Sequence, residues 1–296
     1  MAFRIITDSA TDMPKEIREA YQLHVIPTPF ILNGVDHLDG DEITREEFYN
    51  YLDDDKNVIS TYHINSFMFR NAFEPYAKAG DEVLYCCFST GIAGTYNAAN
   101  LAKEELLEEY PNFKLTILDC KSASLGFALI VYKLLKMQKN GAPKELILEA
   151  ADFYIAHIRH ILTPQTLKYL IKGGRVKKFS GIVGEALDIK PIIELNRQGA
   201  LEPISKVRGR KKSLRALVDY VEANIAKKDG QMVGICDAGD KESLEVAKAM
   251  LLEHIHPGEL VVGTIGCAIG AHTGRGLIGI VFFDAEDKPE YAAYLK

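Results

Sequence analysis

Through the first half of the chain, short β-rich apolar runs alternate with stretches whose apolar residues recur at helical spacing. FRIIT leads into PKEIREAYQ, DEVLYCCF into AGTYNAANLAKEELLEEY, and FKLTILDC into SLGFALIVYKLLKMQKNG. Strands that alternate with helices in this way predict a parallel sheet with helices on both faces. The helix after FRIIT carries its own start signal, with Asp12 as a cap and Pro14 in the first turn. A ligand in such a fold lies at the carboxyl ends of the strands, where each strand turns into its helix. Those turns read TDSATD, STGIAGT and DCKSAS, and all are rich in hydroxyls.

After about His160 the pattern changes to a helix, a glycine turn and then several strands: KPIIEL, LEPISKVRG, MVGICDAG, LVVGTIG and LIGIVFF. Two helical stretches, SLRALVDYVEANIAKK and KESLEVAKAMLLEHI, separate some of them. At 296 residues the chain exceeds the usual size of one core. The reading is therefore an α/β protein of two domains. Residues 1–158 form an N-terminal parallel sheet with helices on both faces, and residues 159–296 form a C-terminal α/β domain with a mixed sheet.

Composition narrows the function. The hydrophobic share of 47% with 26% charged residues is ordinary for a folded globular protein. A net charge of -6 argues against a nucleic-acid partner, whose phosphates demand a basic face. The odd set of Cys86, Cys87, Cys120, Cys236 and Cys267 has no CxxC spacing and reads as reduced core residues of a cytoplasmic protein. No apolar stretch is long enough to span a bilayer, so membrane contact is expected to be transient and at the surface.

Five places carry candidate chemistry. In FSTGIAGTYNAAN, Ser89, Thr90 and Gly91 stand at a strand end before a helix, where hydroxyls, free amides and the helix dipole favour an anion. The alternative is that Ser89 and Thr90 only cap that helix. Thr61 begins a polar turn that also holds His63, Asn65 and Ser66, and by itself such a threonine is an ordinary turn residue. Arg175 follows the helix-ending pair Gly173 and Gly174, where it bonds carbonyls or aims into a cleft. The run Lys206, Arg208, Arg210, Lys211 and Lys212 is either solvated charge or a docking patch. His272 sits on a glycine-rich loop with Arg275, with no second histidine or carboxylate at metal-ligand spacing, so no metal site is expected. P-loop, GxGxxG and GxSxG motifs are absent.

Taken in order, TDSATDMP, the Thr61 turn, FSTGIAGTYNAA, LDCKSAS, LKYLIKGGR, KVRGRKKS and GAHTGRG resemble the motif set of the DegV family along nearly the whole chain. The resemblance implies a bacterial carrier, with no cofactor and no phosphoryl-transfer machinery of its own. Such a carrier holds one long-chain fatty acid in an apolar tunnel and presents its carboxylate to a fatty-acid kinase, whose acyl phosphate feeds phospholipid synthesis. It implies carboxylate contacts at Thr61, Ser89 and Thr90, with His272 and Arg175 close by. Arg208, with Arg210, falls at the partner-docking surface. The family often has serine where this chain has Ala93, and serine and proline around Thr61 where Tyr62, Ile64 and Asn65 stand. Two rivals keep the same residues: an acyl hydrolase with Ser89 or Thr90 as nucleophile and His272 as base, and a regulator that binds a small anion.

Overall fold

The structure is a computed structural model, and it describes residues 2–40, 42–175 and 188–296. Its strands are β1 (Phe3–Asp8), β2 (His24–Ile26), β3 (Pro29–Leu32), β4 (Val35–Leu38), β5 (Ile59–Thr61), β6 (Glu82–Cys87) and β7 (Lys114–Asp119), then β8 (Ile158–Thr163), β9 (Ile189–Leu195), β10 (Leu201–Arg208), β11 (Met232–Asp237), β12 (Glu259–Thr264) and β13 (Ile278–Phe283). In the N-terminal half, β2-β1-β6-β7 form a parallel sheet. In the C-terminal half, β10-β9-β8-β13-β11-β12 form a mixed sheet in which only β11 and β12 run parallel. The α/β class and the two kinds of sheet are those the sequence predicts.

One helix joins the halves. Ser124–Lys139 has 13 of its 16 residues buried, as its unbroken apolar run requires, since a helix apolar all round has no face for water. It packs on β1 from one side and on β8, β11 and β13 from the other. A single apolar cluster consequently runs from Ile5 and Leu84 through Leu125 and Phe127 to Cys236, Val281 and Phe283. The outer face of the parallel sheet is covered by Ser66–Ala79 and Thr95–Glu109, and that of the mixed sheet by Arg210–Asn224 and Lys241–Leu252.

Two elements depart from the sequence reading. A three-stranded antiparallel sheet, β4-β3-β5, lies between β2 and β6 in the chain, and its last residue is Thr61. His272 lies not on a loop but in a short helix, Cys267–Thr273. That helix is anchored from the other half of the molecule. Asp39 accepts from the amides of Cys267 and Ala268, both at 3.1 Å, and Asp12 accepts from the amide of Gly266 at 2.8 Å. Asp12 is therefore not the cap of the first helix, which begins at Lys15 behind Pro14. Its backbone is left-handed, with φ 48°, and its carboxylate also takes the Ser124 hydroxyl at 2.5 Å and faces Arg45. Burial pushes the Asp12 pKa up to about 7 and raises that of Asp39, while the shared Arg45 opposes both shifts.

Candidate functional site

Between the two sheets lies a cavity of about 340 Å³ whose wall is mainly hydrocarbon, with Phe88, Ile92, Leu125, Leu162, Ile269 and Leu277 among its residues. The size falls at the low end of the roughly 300–1,000 Å³ usual for small-molecule sites. Thr61, His63, Arg175 and His272 bring polar groups to the wall. Two further clefts meet the cavity there. One of about 320 Å³ shares Thr61, Arg175 and His272 with it, and one of about 340 Å³ shares Ala93, Gly94 and Arg175. Arg175 borders all three spaces, and its guanidinium donates to the Gly173 carbonyl at 2.6 Å.

Two candidates far apart in sequence meet at the rim of the cavity. Thr61 Oγ1 and His272 Nε2 are 2.6 Å apart across 211 positions. Burial, aided by the neighbouring Arg175 charge, pushes the His272 pKa down to about 4, so the ring is neutral at pH 7. A neutral imidazole has one N–H, and where it sits decides what Thr61 can offer. With the proton on Nε2, the ring donates to Thr61 Oγ1 and leaves the threonine proton free for an acceptor in the cavity. With the proton on Nδ1, Thr61 spends its proton on the ring. His272 Nδ1 is buried without a partner against Gly173, where a Cβ would collide with it. The ring therefore has no carboxylate behind it among the described residues, as a Ser-His-Asp arrangement would require.

Ser89 and Thr90 have different duties. Ser89 is fully buried, donates to the Gly199 carbonyl at 2.7 Å and accepts from the Gly91 amide at 3.1 Å. Gly199 has φ +73°, and a Cβ there would strike the Ser89 hydroxyl, so this contact needs glycine. Thr90 donates to Asp119 at 2.6 Å and accepts from Lys121 at 3.0 Å. Neither residue borders the apolar cavity, although Thr90 lines the adjoining cleft. They are not helix caps either, because the helix begins at Thr95 with Gly94 at its cap and no side chain bonded there. Ala93, Gly94 and Thr95 do line the cavity, so the uncapped start of a 15-residue helix meets the ligand space.

The remaining candidates separate. Arg208 is exposed at the end of β10, with Lys206, Lys211 and Lys212 also exposed nearby. Arg210 points inward: its guanidinium donates to Asp240 at 3.0 Å and to the Gly276 carbonyl at 2.6 Å, which leaves it committed within the fold rather than offered to a partner. Arg275 turns away from the cavity to the Gly239 carbonyl and Asn50. His63, passed over in the Thr61 turn, lies against Gly94 on the cavity wall. All five cysteines are buried and unpaired. Among the described residues no helix is long and apolar enough to cross a membrane, and no cluster of histidine, cysteine and acidic groups is arranged to hold a metal.

Comparison with known proteins agrees with this architecture. The model of the DegV family, described as "Uncharacterised protein, DegV family", matches residues 2–285. A DegV domain-containing protein of Clostridium perfringens is 34% identical over 289 residues, covering 97% of this chain and 99% of the relative. Among solved structures, one described as a fatty-acid-binding DegV family protein from Thermus thermophilus superposes with a TM-score of 0.86 at 24% identity, covering 95% of this chain and 99% of that one. A stearic acid-binding protein from Eubacterium ventriosum superposes with a TM-score of 0.84 at 26% identity, covering 98% and 99%. With the family model spanning nearly every residue and a relative aligned end to end, the chain belongs to the DegV family.

Proposed function

We propose that this protein is a fatty-acid carrier that encloses one long acyl chain and presents its carboxylate at the Thr61–His272 pair. The observation that carries this reading is an apolar cavity between the sheets that meets polar groups where Thr61, His272 and Arg175 converge. An acyl tail stabilises such a complex by about 0.8 kcal/mol for each methylene removed from water. Ten methylenes give about 8 kcal/mol before ordering costs, so the hydrocarbon supplies affinity and the head supplies orientation. A carboxylate drawn out of water needs several charge-assisted hydrogen bonds or it takes up a proton. The Thr61 hydroxyl, with its oxygen held by His272 Nε2–H, is one donor. The free amides at Gly94 and Thr95 and the Arg175 guanidinium are the others.

The proteins of like fold described as binding stearic or heptadecanoic acid support the choice of ligand. In this reading the protein works in the cytoplasm, meets membranes only transiently, and hands the carboxylate to a separate kinase, with exposed Arg208 at the docking surface. Ser89 and Thr90 then hold the turn that carries Gly94 rather than touching the acid. Native mass spectrometry of the purified protein tests this. A carrier arrives with one fatty acid bound and rebinds one equivalent after delipidation, whereas an empty protein that ignores hexadecanoic acid contradicts the proposal. Arg208→Glu leaves that binding intact and lowers acyl-phosphate formation by the kinase.

A further inference from the structure

Two polar side-chain atoms in the cavity wall are buried without a hydrogen-bond partner: His272 Nδ1 and Thr273 Oγ1. The first is pressed against Gly173. The second has no such explanation. Thr273 closes the helix Cys267–Thr273 and is only 8% exposed. A threonine on a helix commonly returns its hydroxyl to the carbonyl one turn back, and this one does not. Three other polar groups of the same wall are engaged. Ser124 donates to Asp12 at 2.5 Å, His160 Nε2 lies 2.8 Å from the Ser122 hydroxyl, and Asp8 accepts from Tyr85 at 2.7 Å. A valine would fill the space of Thr273 equally well without burying an idle hydroxyl.

The position of Thr273 says what the hydroxyl can reach. Ala268, Ile269, His272 and Thr273 all line the cavity, so one face of this helix is presented to the ligand. Thr273 adjoins His272, whose ring holds the head-group threonine, and consecutive Cα atoms stand only about 3.8 Å apart. An atom bonded by Thr273 therefore belongs to the carboxyl end of the acyl chain and not to its tail.

We infer that Thr273 is a specificity-determining residue that recognises a hydroxyl on the second or third carbon of the acid, making 2- or 3-hydroxy fatty acids the preferred ligand class. This rests on the fatty-acid reading and goes further by naming the kind of acid. A buried group built to pair with a substrate hydroxyl also disfavours the analogue that lacks it, because the group is then left unpaired.

The test is equilibrium competition on the delipidated full-length chain among hexadecanoic, 2-hydroxyhexadecanoic, 3-hydroxyhexadecanoic and 12-hydroxyoctadecanoic acids. Wild type is expected to favour one of the first two hydroxy acids over hexadecanoic acid by about tenfold, the value of one neutral hydrogen bond. It should show no such preference for the 12-hydroxy acid. Thr273→Val, which keeps the side-chain shape, abolishes the preference, and Thr273→Ser restores it. The inference is overturned if wild type does not discriminate, if Thr273→Val still discriminates, or if Thr273→Val weakens plain and hydroxy acids alike, which would make Thr273 a carboxylate contact. Failure of every acid to bind wild type sinks the fatty-acid reading itself, whereas binding of hexadecanoic acid without discrimination sinks only this inference.

Discussion

Thr61 and Ser89 each stand at or just past the end of a strand, and each opens a polar turn that reads as an anion site. Their surroundings differ. The Thr61 oxygen meets a neutral imidazole on the rim of an apolar cavity, so its own proton is available when His272 donates from Nε2. The Ser89 proton is committed to the Gly199 carbonyl, and Thr90 is likewise committed to Asp119. A hydroxyl is a ligand donor only when nothing in the fold has already taken its proton, and for Thr61 and Ser89 that depends on neighbours more than a hundred positions away.

The contrast can be broken or sharpened by substitution. The largest effect is expected where the bore itself is filled. Ala268 lines the cavity from the His272 helix, and Ala268→Phe should exclude several methylenes of the tail. Five lost methylenes correspond to about 4 kcal/mol, roughly a thousandfold in affinity. Lipid extraction of the purified variant should then recover almost no fatty acid, while its far-ultraviolet dichroism stays that of wild type.

Next come the two hydroxyls. Thr61→Val should weaken binding about 10- to 100-fold, the range for a hydrogen bond to a charged group, whereas Thr90→Val should shift it less than about twofold. Displacement of a fluorescent fatty acid measures both, and equal losses would erase the distinction drawn between the turns. Ser89→Ala should act on folding instead. It strands the Gly199 carbonyl and the Gly91 amide, at a cost of about 1–3 kcal/mol seen as a lower urea midpoint.

The smallest effect is a pH dependence. Because the folded-state pKa of His272 lies near 4, below the usual 6.5 or so, its contribution to stability is complete above about pH 6.5 and is lost as pH falls toward 4. Asp8 and Asp12, raised by burial to about 6 and about 7, act in the opposite sense. Their contribution is complete below about pH 4 and is lost as pH rises through 6 and 7. Comparing wild type with His272→Gln cancels the two acids. The melting temperature of wild type should fall more steeply than that of the variant between pH 6.5 and 4, and parallel profiles would count against a buried neutral ring.

How far the sequence reaches follows from the range of the interactions. The alternation of β1, β6 and β7 with their helices is local, and it reads directly. The small sheet does not, since β3 and β4 have four residues and β5 three, too few for a period to register. The glycines around His272 read as a loop, yet Asp39 and Asp12, more than 220 residues earlier, fasten that segment into a helix. Asp12 looks like a cap for the same reason: its true partners, Gly266 and Ser124, are distant in sequence. Thr61, His272 and Arg175 were legible as candidates through their ordered motifs. That Thr61 and His272 touch, and that Arg210 turns inward, follows only from tertiary packing.

A crystal structure of the protein with hexadecanoic acid or its 2- or 3-hydroxy derivative bears most directly on the central claim. The carboxylate should accept a hydrogen bond from Thr61 Oγ1, with His272 Nε2 behind that oxygen and the tail running past Ile269 and Leu125. A carboxylate bound instead to Ser89 or Thr90, or an acyl chain lying outside the cavity between the sheets, would contradict it.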